Sequence, residues 1–247
     1  DLLIKGAHVV DPLNHVNGKA DVAVKDGKIA AVGRDLTGDA KEIVDFSGYV
    51  LQPGIIDSHV HLGSMWGSPY GARMLAMKGV TTCLDMAGPL EDILDKVPEY
   101  GAGINMAILQ FASPPFTFKN DHPTKSEMEA LIDKSLDDGA LGVKLLGGHY
   151  PLKPDVSSLL IKTALERRAY VAWHAGTSEH GSNIEGMQEA VAMADGYPLH
   201  LAHINAYCRG AIKNELEEVA IAIDLLKKNP NIFCESYISP KNGTRLT

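Results

Sequence analysis

The sequence predicts an α/β protein: a (β/α)8 barrel of the TIM type, seven of whose strands fall within its 247 residues, preceded by a small β-sandwich subdomain. Three observations predict it. From residue 52 onward, apolar strand-like runs alternate with amphipathic helical segments, the rhythm of βαβ units and a parallel sheet. Polar residues gather at the C-terminal ends of several different strands, which is where a barrel builds its site. The first of those strands ends in His59-Val60-His61, where an open doubly wound sheet would carry a glycine-rich phosphate loop.

Residues 1–51 are read as the small β unit. Leu2-Leu3-Ile4 leads into Lys5-Gly6, read as a turn, and Val9-Val10 leads into Asp11-Pro12. Asp21-Val22-Ala23-Val24 and Ile29-Ala30-Ala31-Val32 flank an Asp26-Gly27 hairpin turn. No acid, base or nucleophile clusters there, so its role is structural. Residues 52–247 form the barrel unit, with strands expected at 54–60, 80–86, 104–111, 141–146, 170–174, 199–203 and 232–235. Helices are expected at 126–138 and 214–228. Ser126 with Glu129 reads as the capping box that opens the first of these helices, and Gly139 as the residue that closes it.

Composition bounds the function. The net charge of −8 is spread through interspersed acids and bases, which argues against a nucleic-acid surface. Cys83, Cys208 and Cys234 make neither a CxxC pair nor a disulfide framework, so a reducing cytoplasm is expected. No apolar run is long enough to span a bilayer. The expected partner is a small-molecule substrate, with no nucleic acid and no membrane, and a homo-oligomer is anticipated. The chain opens at Asp1 in a strand-like run and stops at Thr247 soon after the seventh strand. It is therefore expected to be a portion of a longer protein.

Strand periodicity turns His59 and His61 to one face, together with Asp57. Two imidazoles at i and i+2 can grip one metal ion, whereas a lone histidine is usually a satisfied core residue. Lys144 stands inside the apolar run Leu141-Gly142-Val143-Lys144-Leu145-Leu146. A buried lysine is costly unless it is paired or neutralised. It is either salt-bridged or snorkelling, or it is a neutral amine that has captured carbon dioxide to give a carbamate able to bridge two cations. His174 and His203 each stand where an apolar strand gives way to a Gly- or Asn-bearing loop. His200 lies earlier in its strand and reads as a core or supporting group. Imidazole and carboxylate-type oxygen together suit zinc, with manganese, iron or nickel as alternatives.

HxH on the first barrel strand, Lys on the fourth and His on the fifth and sixth resemble the amidohydrolase superfamily. Gln52-Pro53-Gly54-Ile55-Ile56-Asp57-Ser58-His59-Val60-His61 and the preceding β unit resemble its dihydroorotase, hydantoinase and D-aminoacylase branch. The resemblance implies two divalent metal ions, most simply zinc. His59 and His61 would bind the more buried one, His174 and His203 the more exposed one, and carbamylated Lys144 would bridge them. It also implies hydrolysis of a non-peptide C–N amide bond, in an N-acyl amino acid or a cyclic amide, by a hydroxide held between the metals, with Lys144 and His203 as catalytic groups. In the family an aspartate on the eighth strand carries the proton; no residue of this sequence is assigned that role.

Around the expected mouth, His149, Tyr150, His180, Tyr207 and Arg209 are candidate substrate contacts, with Arg209 suited to a carboxylate. Asp85 ends the second strand near the site, and Cys83 reads as a small core residue more readily than as a ligand. Met65 and Trp66 could form an apolar wall. A lactonase or phosphotriesterase could use the same centre. A deaminase fits less well, because Thr177 stands in His174-Ala175-Gly176-Thr177 where such enzymes resemble a glutamate. A non-catalytic scaffold of this type would be expected to have lost ligands, and here the four histidines and the lysine are present.

Overall fold

The computed structural model describes residues 1–63, 68 and 70–236. Met65 and Trp66 lie outside the described residues. The chain divides into two compact units, Asp1–Ile55 and Ile56–Thr247.

The first unit is a five-stranded sheet of β1 (Leu2–Asp11), β2 (Val16–Lys25), β3 (Lys28–Gly33), β4 (Glu42–Asp45) and β5 (Val50–Leu51). Its order is β3-β2-β1-β4, and β5 also pairs with β1. The hairpin lies where the sequence predicts it: Lys25 pairs with Lys28, and Asp26 and Gly27 both take positive φ. The turn expected at Lys5-Gly6 is instead a bulge inside β1, where the register against β2 shifts between Ile4 and Ala7. Asp21 explains it. The buried carboxylate accepts from the Gly6 N–H at 2.8 Å and pairs with Lys5 Nζ at 2.6 Å, so the displaced backbone is satisfied without breaking the strand.

The second unit carries seven strands in simple sequential order: β6 (Ile55–Val60), β7 (Val80–Asp85), β8 (Asn105–Ala112), β9 (Gly142–Leu146), β10 (Tyr170–His174), β11 (Leu199–Leu201) and β12 (Ile232–Cys234). From β7 to β12 every neighbouring pair is parallel. The helices are α1 (Gly71–Ala76), α2 (Leu90–Tyr100), α3 (Lys125–Asp137), α4 (Pro154–Glu166), α5 (Ile184–Ala194) and α6 (Glu215–Lys228), and a 3-10 turn spans Ile204–Tyr207. The capping box of α3 is Thr124 with Glu127, not Ser126 with Glu129. Two S/T-x-x-E frames overlap here. The preceding Pro123 favours extended backbone at the helix entrance, and the helix starts one residue after Thr124. Gly139, at φ +101°, follows the helix as expected.

Alternation along β9 and β10 decides what faces where. Val143, Leu145, Val171 and Trp173 pack in one core cluster with Met128 and Ile132 of α3, Leu160 and Ile161 of α4 and Met187 of α5. Lys144 therefore takes the opposite, inner face. It stands in register with Ala172, which in turn is in register with His200. Met86, Leu109 and Ala172 are buried together in a separate inner cluster.

Candidate metal centre

The candidate residues converge at the C-terminal ends of the strands. His59 is the penultimate residue of β6 and His61 directly follows the strand; their Nε2 atoms lie 3.3 Å apart. The rings of His59 and His203 are 5.2 Å apart between centroids, and those of His203 and His174 are 4.3 Å apart. His174 is the last residue of β10, and its Nε2 is 2.8 Å from Ser182 Oγ. His203 lies two residues past β11 in left-handed backbone, φ +38° and ψ +64°.

Lys144 is 1% exposed and forms no salt bridge among the described residues. Its Nζ makes a weak contact with Met86 Sδ at 3.6 Å. Burial pulls its pKa from 10.5 to about 7, although Glu235 and Asp85 pull the other way. The salt-bridged and snorkelling alternatives therefore do not describe it. His174 is held at about 2 by burial first and then by His203 and Lys144, and His203 at about 3 by burial first and then by Lys144 and His59. His61, whose outer surface is open to solvent, is also pushed down by desolvation, and next by His59 and Lys144. Low proton affinity leaves imidazole lone pairs available, which is the state a metal requires.

Residues 50–234 match the amidohydrolase family. The chain belongs to that family. Over 91 residues the chain is 46% identical to the allantoinase of Escherichia coli O1:K1, a stretch that covers 35% of this chain and 19% of that enzyme. Among solved structures it is similar to N-acyl-D-glutamate deacylase from Bordetella bronchiseptica, solved with zinc and a phosphonate inhibitor, at 19% identity and a TM-score of 0.73. That match covers 97% of this chain and 59% of the other. The D-hydantoinase from Bacillus sp. AR9 matches at 19% identity and a TM-score of 0.72, over 96% and 57% of the two chains. These likenesses show the barrel fold, and this chain spans less than two thirds of the length of each of these relatives.

Two carboxylates support this amidohydrolase site, and the sequence reading took in only the place of one. Asp85, fully buried at the end of β7, accepts backbone N–H bonds from Leu62, Ala87 and Gly88, which ties the segment after His61 to the loop after β7. Burial raises its pKa, and the N–H bonds oppose the rise. Glu235, directly after β12, was not singled out. It hydrogen-bonds His59 Nδ1, His200 Nε2 and, at 2.6 Å, the His203 N–H. Burial raises its pKa, but the bonds from His200 and His59 outweigh this and hold it well below the usual carboxylate range. The signal was available: an acid ends an apolar strand. His200 is buried and is used as a supporting group, as expected, with Nδ1 2.8 Å from Tyr170 Oη.

The weaker candidates separate. His149 is exposed at the mouth with its ring 5.6 Å from that of His174, and Tyr150 stacks edge-on against Phe116. His180 is exposed but paired with Glu189 of α5 at 3.0 Å; Glu179 completes an exposed cluster there, and Thr177 Oγ1 donates to the same glutamate. Arg209 is exposed. Tyr207 is a correction. It is fully buried, its hydroxyl accepts from the Ala175 N–H and donates to the Ala202 carbonyl, both at 2.8 Å, and so it braces the loops after β10 and β11. The short 3-10 turn folds its ring inward, where a solvated loop was expected. Cys83 packs with Val80, Ile93 and Ile108, and burial raises its thiol to about 11, which agrees with a core residue. Among the described residues no helix is long and apolar enough to cross a membrane.

Proposed function

We propose that this protein is a metal-dependent hydrolase of non-peptide C–N amide bonds, working through two divalent metal ions. The observation that carries the reading is Lys144: a lysine sealed on the inner face of the sheet, without a counter-ion among the described residues, with its amine shifted to about pH 7. Such an amine is a nucleophile for carbon dioxide. Its lone pair forms the N–C bond, one N–H proton leaves to solvent, and the product is a carbamate anion with two ligand oxygens. Carbamylation replaces an unpaired buried amine with an anion that needs cations, and four imidazoles of low proton affinity surround it. His59 and His61 would hold one ion, His174 and His203 the other, and the carbamate of Lys144 would bridge them. Bound there, zinc or a similar ion would polarise a carbonyl and lower the pKa of water.

The chain's own residues supply placement. His203 stands beside His174 and can orient the reacting carbonyl; His149, Tyr150 and Arg209 would line the approach, and Arg209 can meet a substrate carboxylate. Both substrate classes of the relatives are candidates, cyclic amides and N-acyl amino acids. The 46% identity with an allantoinase favours the cyclic class. A cytoplasmic setting accords with three cysteines that form no disulfide.

Zinc content and turnover of allantoin, hydantoin and an N-acyl-D-amino acid test the reading. About two zinc ions per chain and hydrolysis of at least one amide are expected. Lys144→Ala should lose most of both, with partial recovery in a short carboxylic acid. Turnover of lactones or phosphotriesters without any amide would replace the reading, and intact two-metal content in Lys144→Ala would refute the carbamate.

A further inference from the structure

Glu235 touches the terminal segments of two other strands at once. Its Oε1 meets His59 Nδ1 of β6 and the backbone N–H of His203 after β11; its Oε2 meets His200 Nε2. An ionised carboxylate has only acceptor sites, so each partner must be a donor. His59 must therefore carry its proton on Nδ1, which leaves the Nε2 lone pair bare, and it is Nε2 that lies 3.3 Å from His61 Nε2. His200 must carry its proton on Nε2. Its Nδ1 is then an acceptor, and Tyr170 must donate to it. The third bond holds His203 in left-handed backbone, a conformation that is costly for a residue with a β-carbon and persists only where the surroundings fix it.

We propose that Glu235 is a positioning residue that sets the tautomer of His59 and the backbone of His203 together, so that one carboxylate aligns one member of each histidine pair. The inference rests on the metal-centre reading for its purpose, but the tautomers it fixes exist without metal. A histidine that ligates a metal usually gives its other N–H to a carboxylate, and loss of that partner typically lowers metal affinity about 10–100-fold. The contacts to His200 and Tyr170 extend the alignment inward from the mouth: Tyr170 donates to His200, His200 to Glu235, and Glu235 accepts from His59.

The test is nitrogen-15 NMR of the imidazoles in the metal-free chain, together with zinc titration against a competing chelator. In the wild type, His59 should be protonated at Nδ1 and His200 at Nε2. In Glu235→Ala, His59 should lose its fixed Nδ1–H form, and zinc affinity should fall 10–100-fold. In Glu235→Gln, the amide oxygen should stay with His59 and His203 while the amide N–H faces His200, which flips to Nδ1–H. A merely space-filling Glu235 would not move that signature. A wild-type His59 protonated at Nε2, an unaltered His59 in a folded Glu235→Ala, or an unflipped His200 in Glu235→Gln would each overturn the proposal. If Glu235→Ala does not fold, the His200 flip decides. A chain with the expected tautomers that binds no zinc would sink the metal-centre reading and leave the role of Glu235 in setting tautomers intact.

Discussion

Gly148→Ala should inactivate the site while sparing the fold. Gly148 lies in the turn after β9 and packs against the ring of His174. A β-carbon there would sit 2.0 Å from His174 Nε2, 2.4 Å from Cε1 and 2.6 Å from Cδ2. Ordinary contact begins near 3.4 Å, so the ring must retreat by about 3.4 − 2.0 = 1.4 Å. The backbone of Gly148 lies outside the left-handed region, so alanine brings no conformational strain. The obstacle is the end of a side chain, which can swing away at small cost in stability. The swing breaks the 2.8 Å contact with Ser182 and carries the ring away from His203. Misplacing a catalytic group by about 1 Å costs on the order of 10²-fold in rate, which corresponds to about 2.7 kcal/mol. Steady-state kinetics and zinc titration should show that loss, with an unfolding free energy within about 1 kcal/mol of wild type. Gly18→Ala, whose β-carbon would meet nothing within 4 Å, is the control. Wild-type turnover and zinc affinity in Gly148→Ala would refute the claim that the position of His174 matters.

Further expectations follow from the same contacts. The pKa of Lys144 falls from 10.5 to about 7 on folding, so between those values the unfolded chain binds more protons and stability rises with pH; the full effect is on the order of 5 kcal/mol. Urea titrations of metal-free protein at pH 7 to 10 should show this slope, and Lys144→Met should flatten it. Asp85→Ala leaves three buried N–H groups unmet, at about 1–3 kcal/mol each, and should lower the unfolding free energy by at least about 3 kcal/mol. Thr124→Ala should cost about 0.5–2 kcal/mol by thermal melting, whereas Ser126→Ala should be close to neutral; the reverse ranking would restore the capping frame the sequence suggested.

The local features were legible because each rests on a short-range rule. Period-2 alternation turns His59 and His61 together and sets Lys144 apart from Val143 and Leu145, and the apolar runs mark each strand of the second unit to within one or two residues. What could not be read depends on partners distant in sequence. Glu235 and His59 are 176 positions apart, and nothing near either predicts the contact. Tyr207 reads as a mouth residue because it follows His203 on a loop; only the packed turn shows that its hydroxyl bonds the backbone of Ala175 and Ala202. The capping box failed for a different reason. Two frames satisfy one rule, and the choice between them lies in the extended backbone of Thr124, after which the helix starts.

The contact between Glu235 and His59 also measures the curvature of the sheet. β6 and β12 are its two outermost strands, six steps apart in strand order. At about 4.8 Å per step, a flat sheet would hold them about 29 Å apart. Their C-terminal ends instead come within hydrogen-bond reach, so the sheet curls far enough to bring its first and last strands to one site. Curvature and chemistry are therefore coupled. The Glu235–His59 contact spans the curl where the histidines meet. A substitution that relaxes the curl without touching any ligand should separate His59 from His203, and the two histidine pairs would then come apart as independent sites of weaker affinity.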